Sequence, residues 1–378
     1  MVPPGAAVST LLPALERVLD GRDPALVALA PGSAAPAAGL RVGEDIDDDV
    51  ALVVTTSGTT GPPKGALLTA AALTASATAT HERLGGPGRW LLALPPHHIA
   101  GLQVLVRSAL AGTTPVELDV SEGFDAAQLP GATRLLGTGR RYTSLVATQL
   151  AKALTDPSAA AALAELDAVL LGGGPAPQGV LDAAAAAGIA VVRTYGMSET
   201  AGGCVYDGVP LAGVLVRVAD DGRIALGGAT LAKGYRNPLE EPDPFAEPGW
   251  FRTDDLGVLD EAGVLTVLGR TDDAISTGGL TVLPQLVEAA LGSHPAVGDC
   301  AVFGLTDDRL GQRVAAAIVV AEGCPAPTLD ALRTHVTRTL DATAAPRELH
   351  VVDALPRRGI GKVDRTALVR RFAGPGDQ

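Results

Sequence analysis

Val50-Ala51-Leu52-Val53-Val54-Thr55-Thr56-Ser57-Gly58-Thr59-Thr60-Gly61-Pro62-Pro63-Lys64-Gly65 is the stretch that decides the fold. An apolar run of strand length passes directly into ten residues, from Thr56, that hold three glycines, four hydroxyls and one lysine. A strand ending in such a loop can aim backbone N–H groups, hydroxyls and a cation at a phosphate chain, and glycine lets the backbone approach closely. The spacing is not that of a Walker A loop, which needs Gly-Lys-Ser/Thr at a fixed distance from its first glycine. A plain Gly/Thr surface loop is the competing reading.

Working outward, short apolar segments alternate with helical ones. Leu68–His81 reads as a helix, Trp90–Leu94 as a buried strand ending at Pro95-Pro96, and Leu166–Leu171 as a strand running into Gly172-Gly173-Gly174. A helix over Leu181–Ala187 and a strand over Ile189–Thr194 then lead into Tyr195-Gly196-Met197-Ser198-Glu199. This alternation predicts a parallel α/β sheet. Ligands of such sheets bind beyond the carboxyl ends of the strands, so the three loops should converge on one site. From Leu211 to Gly269 short alternating segments separated by Gly-containing turns predict an antiparallel β subdomain. Past Arg270 the pattern resets into a small α+β unit of about 100 residues. Its strand candidates are Cys300–Leu305, Val314–Val320 and Leu349–Val352, and its helix candidates Pro284–Leu291 and Leu329–Leu340. The expected division is residues 1–269 and 270–378.

The 378 residues carry a net charge of −13, which argues against a nucleic-acid footprint. Three widely spaced cysteines suggest neither a disulfide framework nor a zinc site and favour a reducing compartment. No basic and apolar leader opens the chain, and no apolar run reaches membrane-spanning length, so the expected location is the cytoplasm. The triple glycine lacks G-x-G-x-x-G spacing, which disfavours a dinucleotide site.

Thr56–Gly65 and seven further segments, in order, resemble the motifs of the adenylate-forming superfamily of acyl-CoA synthetases, adenylation domains and luciferases. That resemblance implies a large N-terminal domain of parallel α/β sheets with an antiparallel β subdomain, and a small mobile C-terminal α+β domain. It implies ATP, Mg²⁺ and coenzyme A as ligands and a small carboxylic acid as substrate. By the same resemblance Thr56, Ser57, Gly58, Thr59, Thr60, Gly61 and Lys64 hold phosphates, and Gly172, Gly173 and Gly174 turn at the adenine pocket. Tyr195, with Gly196 and Met197, flanks adenine, Ser198 meets the α-phosphate, and Glu199 holds Mg²⁺. In Trp250–Gly257, Asp255 takes the position that binds the ribose hydroxyls, while Asp254 stands where the pattern has glycine; it either weakens nucleotide binding or points to solvent. Arg270 contacts ribose or phosphate, Asp272 is the hinge, and Ser276, Gly278 and Gly279 shape a CoA tunnel. Lys362, in Pro356–Val363, is the catalytic lysine. In Pro95–Leu102, His98 lies near the acyl substrate. The segment Gly227–Tyr235 matches a motif for which packing is the expected role.

Arg141–Leu150 further resembles a stretch of the 2-succinylbenzoate–CoA ligase branch, whose substrate has two carboxylates and whose product serves menaquinone biosynthesis. Ser144 and Thr148 then become substrate candidates, and Arg107, Arg140 and Arg141 candidates for the carboxylate that is not activated. Another aryl- or acyl-CoA synthetase, or a stand-alone amino-acid adenylation enzyme, is the alternative; no carrier motif precedes Gln378. A homodimer is expected on general prevalence.

Overall fold

A computed structural model describes residues 8–29, 39–56, 64–237, 243–358 and 361–373. The apolar run is strand β2 (Val50–Thr56), which pairs in parallel with β1 (Leu26–Ala28) and antiparallel with β3 (Lys64–Thr69), beside helix α1 (Val8–Leu19). Thr56 faces Lys64 across the β2–β3 pair, so the Gly- and hydroxyl-rich stretch is a hairpin connection. Ser57, Gly58, Thr59, Thr60 and Gly61 lie outside the described residues. The helix expected over Leu68–His81 begins later, as α2 (Ala70–Arg83), because Leu68 is taken up by pairing with Leu52. Thr69 caps α2, its hydroxyl accepting from the Ala72 N–H at 3.0 Å.

The second sheet has seven strands: β4 (Arg89–Leu92), β5 (Val116–Glu117), β6 (Arg141–Val146), β7 (Ala168–Gly172), β8 (Val191–Met197), β9 (Gly202–Tyr206) and β10 (Val209–Pro210), in the order β10-β9-β8-β7-β6-β4-β5. The run β5-β4-β6-β7-β8 is parallel, and β9 and β10 close the edge antiparallel. Helices α3 (Ile99–Leu110), α4 (Leu129–Leu135), α5 (Ala147–Leu154), α6 (Pro157–Ala164) and α7 (Gln178–Ala186) make the crossovers. Strand residues alternate between two cores, as a strand buried on both faces requires. Trp90 and Leu170 join Leu52, Leu73 and Leu102 on one face, while Leu91 and Leu171 join Leu145, Leu150 and Leu163 on the other. Full burial of a side chain of this size contributes about 1.5–3 kcal/mol. After β4 the chain runs outward to β5 and returns to β6 on the opposite flank of β4, which makes the β4–β6 crevice a topological switch point.

The region from Leu211 is the expected antiparallel sheet, with strands β11 (Val214–Val218), β12 (Arg223–Gly228), β13 (Trp250–Leu259) and β14 (Leu265–Arg270) in chain order. Its longest strand, β13, was read from sequence only as a motif, although Phe251, Thr253, Asp255 and Gly257 alternate inward. A smaller C-terminal domain follows. It contains β15 (Ile275–Thr277), β16 (Leu280–Val282), α8 (Pro284–Gly292), β17 (Val297–Asp307), β18 (Gly311–Val320), α9 (Leu329–Val336), β19 (Glu348–Val351), β20 (Arg357–Arg358), β21 (Lys362–Val363) and α10 (Arg365–Phe372). Helix α9 stops short of Leu340 where the hydroxyls of Thr337 and Thr339 turn back to the carbonyls of Thr334 and Val336. Among the described residues no helix is long and apolar enough to cross a membrane.

Strands β8 and β9 meet at two glycines. A Cβ on Gly196 would lie 2.1 Å from the Gly202 carbonyl oxygen, a backbone atom that no rotamer change can move. Gly196→Ala is expected to destabilise the large domain by about 3 kcal/mol, at the upper end of overpacking costs, read as a lower urea midpoint at unchanged slope.

Candidate active site

The parallel strands end along one edge, and several of the expected residues lie at or beyond those ends. Beyond β4, Pro95–His98 turn into α3, with extended His98 as its N-cap residue. Gly101 in the first turn allows this, since a Cβ there would lie 2.4 Å from the Pro95 carbonyl oxygen. The rings of His97 and His98 lie 4.3 Å apart. Burial, helped by the charges of His97 and Lys362, pushes His98 down to about 4, so its imidazole is neutral at pH 7. Beyond β6, the Val146 N–H donates to Gln149 Oε1 and Gln149 Nε2 donates to the Ala93 carbonyl, fixing the β6 exit against the β4 exit. Ser144 is buried within β6, and Thr148 opens α5. Beyond β7, Gly172 crowds Thr194, whose hydroxyl would sit 2.6 Å from a Cβ on the glycine, and Gly173 takes φ +85°.

Tyr195, Gly196 and Met197 do not follow β8 as expected but form its last three residues. Pairing with Val205, Gly203 and Gly202 of β9 extends the strand. Ser198–Thr200 is a single 3₁₀ turn, and both Ser198 and Glu199 are buried.

Glu199 is the centre of a compact charge cluster. The Tyr235 hydroxyl donates to Glu199 Oε1 at 2.7 Å, and Lys64 Nζ lies 5.3 Å from the centroid of the Tyr235 ring. Burial raises the Glu199 carboxyl above its ordinary range, while the Tyr235 hydrogen bond and the charges of Lys64 and Lys362 pull it back. The charge of Lys362 is thus felt by both Glu199 and His98. The segment ahead of it touches the large domain: a Cβ on Gly361 would lie 2.8 Å from Thr148 Oγ1. Packing alone was expected of Gly227–Tyr235, and here the structure differs. The segment packs, with Ala232 N–H donating to the Glu199 carbonyl and Lys233 N–H to the Leu67 carbonyl. Its tyrosine also places a hydroxyl on the carboxylate. The signal was in the sequence as an aromatic with a polar tip ending a glycine-rich motif.

Asp255 sits on β13 opposite Arg270 of β14. The Tyr195 hydroxyl donates to Asp255 Oδ2 at 2.7 Å, and Arg270 reaches Oδ1 at 3.4 Å. Burial raises Asp255, and Tyr195 and Arg270 oppose that rise. Arg270 makes a closer two-pronged pair with Asp272, at 2.8 and 2.9 Å. Asp254 is 56% exposed and pairs with Arg223 at 3.2 Å and Arg270 at 3.7 Å, so its charge is turned outward and shared with two cations. Ser276, Gly278 and Gly279 belong to the β15–β16 hairpin, whose two turn glycines both take positive φ as a tight two-residue hairpin demands.

The three arginines suggested for a second carboxylate are all placed elsewhere. Arg107 is buried in the last turn of α3, stacks 5.0 Å from the Trp90 ring centroid and donates to the Tyr206 hydroxyl. Arg141 starts β6, opposite Arg89 at the amino ends of the strands, and donates to the Glu165 carbonyl at 2.6 Å. Arg140 precedes it, against Gly85. Position in the sequence did not reveal which end of the sheet each one occupies.

Among the described residues no three His, Cys, Asp or Glu side chains gather as a metal cage. A single buried carboxylate beside two lysines fits a hard cation that arrives on phosphates, since Mg²⁺ takes one or two carboxylates and completes its shell with phosphate and water. Tyr235→Phe removes a hydrogen bond that favours ionised Glu199. The Glu199 carboxyl then rises further, and the acid limb of the kcat/KM profile is expected to move to higher pH with a weaker Mg²⁺ dependence midpoint; an unshifted limb would refute the contact's role.

Residues 12–236 match the AMP-binding enzyme family, and residues 286–362 match the AMP-binding enzyme C-terminal domain. The chain is 77% identical over 379 residues to a probable 2-succinylbenzoate–CoA ligase of Mycobacterium tuberculosis, covering 100% of this chain and 99% of that protein. It is 35% identical to the 2-succinylbenzoate–CoA ligase of Listeria monocytogenes, over 85% of this chain and 70% of that one. The fold matches the o-succinylbenzoate CoA synthetase (MenE) of Bacillus subtilis, solved with the acyl-adenylate intermediate OSB-AMP. The TM-score is 0.73 at 28% identity, with 94% and 80% of the two chains covered. The same Bacillus enzyme is known in complex with ATP and magnesium ion. On these matches this chain belongs to the AMP-binding enzyme family, the adenylate-forming superfamily.

Proposed function

We propose that this chain is an AMP-forming acid–CoA ligase that converts 2-succinylbenzoate to 2-succinylbenzoyl-CoA for menaquinone biosynthesis, with Mg·ATP and coenzyme A as co-substrates. The observation that carries the chemistry is the seat of Lys362, from the smaller domain, where Gly361 lies against Thr148 and the lysine charge acts on the buried Glu199 and on His98. The substrate assignment is supported by the identity with the Mycobacterium ligase along the whole chain.

In the first half-reaction a substrate carboxylate oxygen attacks the α-phosphorus of ATP. The new O–Pα bond forms as the Pα–O bond to the β-phosphate breaks, and pyrophosphate leaves. Lys64 and Thr56, with Ser57, Thr59 and Thr60 and the backbone of Gly58 and Gly61, hold the β- and γ-phosphates. Ser198 meets the α-phosphate, and Glu199 receives the cation that ATP brings. Lys362 bridges the attacking carboxylate and the α-phosphate, where negative charge gathers in the transition state. Tyr195 lies along adenine, with Gly196, Met197 and the Gly172–Gly174 turn behind it. Asp255 accepts from the ribose hydroxyls beside Arg270. His98, Ser144 and Thr148 line the acyl end at the β4–β6 crevice.

In the second half-reaction the smaller domain, taken as residues 270–378 against 1–269, turns about Asp272. Lys362 leaves, and the hairpin with Ser276, Gly278 and Gly279 opens a path for the thiol. Coenzyme A sulfur attacks the acyl carbon, the thioester forms, and AMP leaves with the electron pair of the broken C–O bond. One lysine cannot occupy the site while a thiol enters it, which is why two arrangements are needed. Three free cysteines support a reducing, cytoplasmic setting, and a homodimer rests on prevalence alone.

CoA-dependent pyrophosphate release over a panel of 2-succinylbenzoate, benzoate, a medium-chain fatty acid and several amino acids tests the assignment. Turnover is expected only with 2-succinylbenzoate; turnover with another acid keeps the adenylating chemistry and overturns the substrate. Lys362→Ala is expected to slow adenylation by about 10²–10³-fold, the scale of losing one preorganised charge at a reacting centre. Thioester formation from supplied acyl-adenylate should persist in that variant, and equal loss in both assays would overturn the two-arrangement mechanism.

A further inference from the structure

The turn that carries Glu199 is held from behind by two side chains that no motif includes. Two residues after Glu199, Ala201 adopts φ +51°, the left-handed region that disfavours any residue with a Cβ, and it is fully buried. Such a conformation persists only where its surroundings impose it. Here the Ala201 carbonyl accepts two buried side-chain hydrogen bonds, from Gln103 Nε2 of α3 at 2.7 Å and from Ser76 Oγ of α2 at 2.9 Å. Gln103 also packs on the next residue, since a Cβ on Gly202 would lie 3.2 Å from Gln103 Cγ. Within the turn, Thr200 Oγ1 accepts from the Met197 N–H at 3.0 Å and donates to the Gly202 carbonyl at 2.7 Å. On the near side the Glu199 carbonyl is held by Ala232 N–H at 2.8 Å.

Gln103 has no exposed surface, and most of its neighbours along α3, among them Leu102, Val104, Leu105 and Val106, are buried and apolar. Its Oε1 finds no partner among the described residues. A buried amide with one end unsatisfied is costly where an apolar residue of the same size would pack without penalty. Its satisfied end is the bond to Ala201. Tyr235 fixes the Glu199 carboxylate from the front, and the Gln103–Ala201–Ser76 contact fixes the backbone behind it.

We propose that Gln103 and Ser76 are positioning residues for adenylation: by holding Ala201 in its left-handed conformation they aim the Glu199 carboxylate at the cation carried by ATP. The inference rests on the role given to Glu199 above. Gln103 lies five residues into the chain from His98, so α3 links the acyl end of the site to the carboxylate.

The test uses the full-length enzyme with Gln103→Met and Ser76→Ala, singly and together. Pyrophosphate release is titrated with Mg²⁺ at saturating ATP, and thioester formation is measured separately from supplied acyl-adenylate. Gln103→Met is expected to lower the adenylation rate about tenfold and to raise the Mg²⁺ half-saturation several-fold, the scale of one lost buried hydrogen bond. Thioester formation should fall far less. Ala201→Gly placed in the Gln103→Met background is expected to restore much of the loss, because glycine takes this φ without support. Parallel loss in both half-reactions with unchanged Mg²⁺ half-saturation, no loss at all, or no recovery with Ala201→Gly would overturn the proposal. Should Gln103→Met fail to give a cooperative melt, Ser76→Ala alone carries the same comparison. Calorimetric titration with Mg·ATP separates the two levels of argument. A wild-type enzyme that binds Mg·ATP but turns over no acid refutes the proposed function, while the Mg·ATP affinity of the variants still decides the positioning.

Discussion

A carboxylate only 6% exposed must be held by something, and in this molecule most of the active edge is arranged around that need. Desolvation pushes the Glu199 carboxyl up, toward the protonated form that is of no use to a divalent cation. The Tyr235 hydroxyl, Lys64 and Lys362 each favour the ionised form. The first comes from the segment after β12, the second from the start of β3, and the third from the smaller domain. Three separate parts of the chain are thus drawn to one group. The outcome sets two lysine charges on one buried carboxylate within a chain of net charge −13.

The smaller domain can deliver its lysine only if the lysine is rigidly attached to it. Arg365, three residues past Lys362, donates to both Glu288 carboxylate oxygens at 2.7 and 2.9 Å, to Asp273 at 3.1 Å and to the Val302 carbonyl at 3.0 Å. Glu288 in turn accepts from the Val302 N–H, and Gln285 donates to Asp273. One guanidinium therefore ties the start of α10 to α8, to β17 and to the residue following Asp272. Partly buried, charge-assisted bonds of this kind are much stiffer than surface ion pairs. In the proposed mechanism, motion about Asp272 would then be carried to Lys362 with little slack.

The parts of this arrangement that sequence revealed are those that depend on local pattern. The β2–β3 connection announces itself by composition, the turns after Leu211 by their glycines, and Asp255 by its place within Trp250–Gly257. What was hidden depends on topology. Arg107, Arg140 and Arg141 are near candidate site residues in sequence, but a parallel strand has two ends, and only the strand order shows that Arg140 and Arg141 sit at the wrong one. Strand β13 was concealed because its polar residues, Thr253 and Asp255, are the ones that face inward. Gln103 was hidden because a lone amide in an apolar helix carries no pattern, and Tyr235 because its motif was read for shape and not for the hydroxyl at its end.

The surroundings of Arg270 show how weak contacts can serve better than strong ones. Arg270 faces three carboxylates, but unequally: two short bonds to Asp272, and longer approaches of 3.4 Å to Asp255 and 3.7 Å to Asp254. A tight pair with Asp255 would consume the lone pairs that ribose hydroxyls need. By drawing Arg270 aside, Asp272 leaves Asp255 able to accept, and Arg223 draws the additional charge of Asp254 away in the other direction. On the proposed hinge role of Asp272, rotation of the backbone there would disturb the two-pronged pair. Because that pair lies near the surface, where ion pairs are worth about 0–1 kcal/mol, the disturbance costs little. In the proposed roles of Asp255 and Asp272, the same guanidinium would keep the ribose position open and leave the hinge free to turn.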